Sequence, residues 1–159
     1  MPPHPAAPAA RYHLAFAPNP GPGRVRHGMD FTRTVLEHRP PAPDRAAVQD
    51  ALLVVAELLA NAVDHANGPT DLTLAFTPEA GLRIEVADTS PAPPTLRHPS
   101  PHEPRGRGLR IIDTIATAWG TTPATGGKTV WAHLPLPAQR PAPNGAGPAA
   151  TGPREGGEQ

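Results

Sequence analysis

Apolar residues in this chain alternate, then recur at helical spacing, then alternate again. Tyr12, Leu14 and Phe16 share one face of residues 11–17, the pattern of a strand. Pro18-Asn19-Pro20-Gly21-Pro22-Gly23 breaks it. Val25, Met29, Thr32 and Leu36 then recur at helical spacing over residues 24–38, and Pro40, Pro41 and Pro43 end that helix. Asp44 is a good N-cap for a second helix running to His65 or Ala66. At ~100° per residue, Val48, Leu52, Val55, Leu59, Ala62, Val63 and Ala66 lie on its apolar side. Asn67-Gly68-Pro69 is its stop signal. Residues 71–77 and 82–88 read as an antiparallel hairpin around Pro78-Glu79-Ala80-Gly81. Beyond a long interruption, Leu109, Ile112, Ile115, Ala116 and Trp119 make a third helix face. Residues 121–124 and 128–134 make a last hairpin, with Val130, Ala132 and Leu134 on one face. Strands and amphipathic helices in this order predict a small two-layer α/β domain.

The polar positions carry the candidate chemistry. On the second helix Asp50, Glu57, Asn61 and Asp64 fall opposite the apolar side, with His65 at the flank. Most such stripes are solvated faces. This one is acidic and amide-bearing, and it has no Lys or Arg for paired charges. Glu57 and Asn61 are four apart and therefore neighbours, a fair start for holding a hydrated metal ion. In the second strand of the first hairpin, Leu82, Ile84, Val86 and Asp88 share a face, while Arg83 and Glu85 point the other way. A carboxylate on the apolar face needs a hydrogen-bond donor. The blander reading is that Asp88 only starts a turn. Gly106 and Gly108 lie at the entry to the third helix, where glycine lets a phosphate approach free backbone N–H groups. As a lone signal the pair is equally a flexible helix entry.

Composition narrows this further. Of 159 residues, 25 are proline: four within residues 1–10, six within 89–104 and five within 137–159. Those segments cannot be regular helix or central strand. The expected layout is a disordered Pro/Ala-rich start (1–10), one domain (11–136) containing a functional loop (89–104), and a disordered Pro/Gly-rich tail (137–159). The formal net charge is zero and there is no basic stripe, which argues against binding nucleic acid by phosphate neutralisation. The absence of cysteine removes disulfides, zinc–thiolate sites and thiol nucleophiles. No apolar run approaches membrane-span length, and MPPHPAAPAA lacks the pattern of a signal peptide. The expectation is a soluble cytoplasmic protein.

The order of these signals resembles the GHKL ATPase superfamily, whose Bergerat nucleotide-binding fold occurs in gyrase, MutL, histidine kinases and anti-sigma-factor kinases. ELLANAVDHA looks like the N box, DTSPAPP occupies the G1 position, GRGLRII looks like the G2 box, and GGKTVWAHLP looks like the closing strand. Within the superfamily the short length and strand–helix start look most like anti-sigma regulatory Ser/Thr kinases. The resemblance implies an α+β two-layer sandwich: a mixed, mainly antiparallel sheet covered on one face by about three helices. It also implies ATP and Mg²⁺. Asn61 would ligate Mg²⁺, and Glu57 would orient and deprotonate the attacking hydroxyl. Asp88 would accept a hydrogen bond from the adenine amine. Gly106 and Gly108 would admit the phosphates, Arg107 or Arg105 would add charge there, and residues 89–104 would form a lid. The implied partners are a sigma factor or an anti-sigma-factor antagonist, with a homodimer compatible. The chain departs from the family in two places. G1 usually reads Asp-x-Gly-x-Gly, whereas Thr89, Ser90, Pro91 and Ala92 follow Asp88, with no glycine before Gly106. Lys128 intervenes where the closing strand usually reads Gly-Thr, which weakens Thr129 as a partner for Asp88. Two functions follow: phosphorylation of a Ser or Thr on a partner, or regulation by nucleotide-dependent or simple association.

Overall fold

The computed structural model describes residues 10–18, 22–77, 81–92 and 108–138. The chain forms β1 (Ala10–Ala15), α1 (Arg24–Glu37), α2 (Arg45–His65), β2 (Pro69–Thr77), β3 (Gly81–Asp88), α3 (Gly108–Ile115), β4 (Ala118–Ala124) and β5 (Gly127–Leu134). The five strands form one sheet in the order β1-β2-β3-β5-β4. Every neighbouring pair is antiparallel, so the parallel pairing expected of a mixed sheet is not found among the described residues.

Register and alternation together build the core. Leu72, Leu74 and Phe76 of β2 lie opposite Val86, Ile84 and Leu82 of β3, and Ile84 lies opposite Ala132 of β5. All of these are buried, along with Val130 and Leu134. The three helices cover this face, with Leu36, Ala51, Val54, Val55, Leu58, Leu59, Ala62, Leu109 and Ile112 meeting it in one core cluster. The other face carries charge. Arg11 and Arg83 both pair with Glu85, at 2.9 and 2.6 Å, and Arg83 also stacks over Trp131 at 4.5 Å. Burial and the Arg83 guanidinium push His133 below its ordinary value, so its neutral ring can accept the Arg83 N–H at Nε2 (2.8 Å).

The sequence signals place α2 well at both ends. The Asp44 carboxylate accepts the Ala47 N–H at 2.7 Å, which satisfies one free donor of the first turn. At the other end Asn67 takes a left-handed conformation (φ 57°) and the Gly68 N–H returns to the Ala62 carbonyl. The buried arc of α2 differs from the expected one. Ala51, Val54 and Leu58 are in the core, while Val63 is 45% exposed and Val48 is half-buried. The helix is flanked by α1 and α3 as well as lying on the sheet. Its buried side is therefore wider than one stripe and turned towards Val54 and Leu58. By length and composition α2 is apolar enough to cross a membrane, contrary to the expectation that no apolar run approaches that length. Ala51, Leu52, Val54, Val55, Leu58, Leu59 and Ala62 of this helix are buried in the core, whereas Leu53 and Val63 are exposed.

Two boundaries also shift. The third helix stops at Ile115, so Trp119 is a strand residue opposite Ala132 rather than part of the helix face. The Thr117 N–H donates to the His133 carbonyl at 2.9 Å, which draws the chain into pairing with β5 directly after the helix. The Trp119 indole still reaches back to the Asp113 carboxylate (2.9 Å), so the ring stays beside α3. At the far end, the Pro137 carbonyl accepts the Asp44 N–H at 2.9 Å, and Ala138 bridges to Pro43. Those contacts give a prediction about the termini. Deleting residues 1–9 and 139–159 leaves the melting temperature within about a degree, because short Pro-rich segments bury little apolar area. Ending the chain at Leu136 instead removes the acceptor for Asp44 and lowers it. Thermal melts of the two truncations check both outcomes.

Candidate nucleotide site

Of the side chains singled out from the sequence, Glu57, Asn61 and Asp88 lie among the described residues. Glu57 and Asn61 are both half-buried. They are not opposite the core, as the apolar pattern suggested, but at its edge. At ~100° per residue Asn61 lies only about 20° around α2 from Val54. Among the described residues no hydrogen bond or ion pair engages either side chain. Burial pushes the Glu57 carboxyl above its ordinary value. A partly buried acid with a raised carboxyl and no partner among the described residues is a candidate for chemistry.

Asp88 ends β3 on the inner face, as strand parity required, and is 6% exposed. Its Oδ1 already has donors. The Lys128 ammonium lies 2.9 Å away and the Ser90 N–H another 2.9 Å. Lys128 Nζ also donates to the Ser90 carbonyl at 3.1 Å. Both side chains of the pair are nearly inaccessible, at 1% and 4%. The register of β3 and β5 places Asp88 opposite Lys128. Gly127 makes this approach possible, since a Cβ there would collide with the Asp88 carbonyl oxygen. The sequence reading missed Lys128, although the signal was present. Lys128 has the same parity as Val130, Ala132 and Leu134, so it must face inward. By the same rule Thr129, opposite Ala87, faces outward and is no partner for Asp88.

The chain leaving β3 stays against the end of α2. The Thr89 hydroxyl donates to the Ala66 carbonyl at 3.4 Å. A cavity of about 420 Å³ lies there, lined by residues 63–67 and 89–91, with Asp64, His65, Asn67, Thr89 and Ser90 supplying polar groups. That size suits a small-molecule site. Gly108 is the first residue of α3, as expected for a glycine at the helix entry. Gly106, Arg107, Arg105 and most of the 89–104 loop lie outside the described residues.

Residues 19–134 match the histidine kinase-like ATPase domain family. The chain belongs to that family. Among solved structures, part of a chain holding the RsbU and RsbW domains of Rv1364c from Mycobacterium tuberculosis shares the fold, with a TM-score of 0.60 at 18% identity. The match covers 84% of this chain and 35% of that one, so this chain corresponds to about a third of its structural neighbour. No curated protein matches.

The residues of this histidine kinase-like ATPase domain fit a nucleotide in part. A half-buried, unpartnered carboxylate and amide sit one turn apart on α2, and a polar cavity opens at that helix's C-terminal end. Among the described residues no cluster of three or more His, Asp or Glu could hold a metal alone. Mg²⁺ does not require one, since it commonly takes one or two protein oxygens and fills its octahedron with phosphates and water. Asp88, which the resemblance assigns to the adenine amine, is already paired with Lys128.

Proposed function

We propose that this domain binds ATP with Mg²⁺ and acts as an anti-sigma-type regulator, transferring the γ-phosphoryl group to a Ser or Thr of a partner antagonist protein. The observation that carries the reading is Glu57: half-buried, raised by desolvation, unpartnered, and one turn from Asn61. Membership of the ATPase family and the shared fold with an RsbW domain support it. In the reaction the partner's hydroxyl oxygen forms a bond to the γ-phosphorus. The bond to the β–γ bridging oxygen breaks, ADP leaves with that electron pair, and Glu57 takes the hydroxyl proton. Asn61 would hold Mg²⁺, which supplies charge neutralisation at the phosphates. Gly108, with Gly106 and Arg107, would meet the phosphates at the start of α3. A cytoplasmic location and a homodimer belong to the same proposal.

The paired Asp88 favours one alternative, a nucleotide-binding or formerly nucleotide-binding module that regulates its partner by association alone. Incubation with Mg-ATP and candidate partner proteins separates the two. Phosphate transfer that disappears in Glu57→Ala supports the kinase. Partner binding with no transfer supports the module.

The metal assignment has its own test. Asn61→Ala abolishes the Mg²⁺ enhancement of ATP binding and leaves the fold intact, because no hydrogen bond of the described structure depends on that side chain. Calorimetric titration with and without Mg²⁺ reads this directly. Metal dependence that survives the change moves the ligand elsewhere, with Asp64 next.

A further inference from the structure

Asp88 and Lys128 are the only charged residues among the buried described ones. They meet at the end of the sheet where the nucleotide reading puts the base. A base's exocyclic amino group would have to donate to the Asp88 carboxylate, and here an ammonium from β5 already does so at 2.9 Å. The ammonium is anchored on its other side by the Ser90 carbonyl, and its position is set by strand register rather than by chance side-chain placement.

We propose that Lys128 is the specificity-determining residue of the base subsite, where its ammonium competes with the base amino group for the Asp88 carboxylate. This rests on the nucleotide reading above. Two consequences follow from the hydrogen-bonding capacities. Adenine binds weakly, since its amino group meets a carboxylate whose charge Lys128 already neutralises and whose Oδ1 already accepts from Lys128 and the Ser90 N–H. The subsite also presents a donor beside an acceptor, not a lone carboxylate. Guanine can then offer its carbonyl to Lys128 and its ring N–H to Asp88, so discrimination between the two purines is small. A lone carboxylate at Asp88 would favour adenine over guanine, and Lys128 beside it narrows that preference.

Lys128→Met removes the ammonium and keeps the length of the side chain. Titration calorimetry with ADP and with GDP, each with Mg²⁺, is compared for the natural protein and this variant. ADP affinity rises about tenfold or more, the scale of one hydrogen bond to a charged group, and the ADP-to-GDP ratio widens. Without nucleotide the variant melts lower, since Asp88 has lost its countercharge, and ADP restores more of the melting temperature than it adds to the natural protein. Lys128→Gln, whose amide still donates to Asp88, covers the case in which the Met variant does not fold. It gives a smaller gain in ADP affinity, about threefold by the same scale. In Lys128→Met/Asp88→Asn the gain is lost, because the freed carboxylate is gone. Equal ADP affinity in the natural protein and the folded Lys128 variants overturns the proposal while leaving nucleotide binding intact, as does a gain for GDP alone. Failure of every protein to bind either nucleotide overturns the proposal and the nucleotide reading together.

Discussion

Replacing Asp88 with alanine lowers the melting temperature by on the order of 10–20 °C. The carboxylate is buried and accepts from both Lys128 and the Ser90 N–H. Truncating it leaves an ammonium in a low-dielectric layer with only the Ser90 carbonyl for company. Breaking a buried ion pair on one side costs roughly 3–5 kcal/mol, chiefly because the surviving charge is uncompensated. For a domain of this size each kcal/mol moves the transition by several degrees. The same physics separates stability from function at this position. A nucleotide-binding loss in any Asp88 variant is interpretable only beside its melting curve. Asp88→Ala combined with Lys128→Met recovers much of the loss, since a neutral, apolar pair leaves no charge stranded. Thermal melts of the two single variants and the double variant, read as a double-mutant cycle, measure the coupling. A single Asp88→Ala that melts within about two degrees of the natural protein would show that water reaches the ammonium and that the pair is not sealed.

Much of this fold could be read from alternation and capping, because those signals are local. The hairpin of residues 71–88, the Asp44 cap and the stop at Asn67 depend on neighbours within a few positions, and each appears where expected. The placement of Glu57 and Asn61 one turn apart was legible for the same reason, being a matter of helical spacing. What the sequence left open depended on which elements pack together. Val63 looked like core until α2 proved to be flanked on both sides, which rotates the buried arc towards Val54 and Leu58. Trp119 suited a helix face by spacing, yet the pairing of Thr117 and Ala118 with His133 ends the helix first. Lys128 is the instructive case. Its parity was visible, but an inward lysine becomes intelligible only when the register brings it opposite an inward aspartate forty residues earlier. Read alone, β3 gave one carboxylate on the apolar face in need of a donor, and the sheet supplies that donor as Lys128 of β5.

Glu57→Gln lowers phosphate transfer to a partner by about 10²–10⁴-fold, the usual contribution of a positioned general base. It leaves ATP binding nearly unchanged, because the amide keeps the shape of the side chain and no hydrogen bond of the described structure depends on the carboxylate. Glutamine cannot take the hydroxyl proton, so the loss falls on turnover rather than on affinity. The raised Glu57 carboxyl gives the argument a second readout. Its folded-state value lies above its unfolded one, so the folded protein binds more protons between the two values. Stability from this group is therefore complete below the ordinary carboxylate range and falls as pH rises through the folded value. Near neutral pH Glu57→Gln melts at the same temperature as the natural protein or slightly above it, and at pH near 4 the difference disappears. Transfer by the natural protein moves the opposite way, rising with pH as Glu57 loses its proton. Measuring melts and single-turnover transfer across the same pH range tests both trends at once. A Gln variant that melts lower at neutral pH would make Glu57 a structural residue. A variant that retains transfer would place the base elsewhere, and the kinase reading would give way to regulation by association.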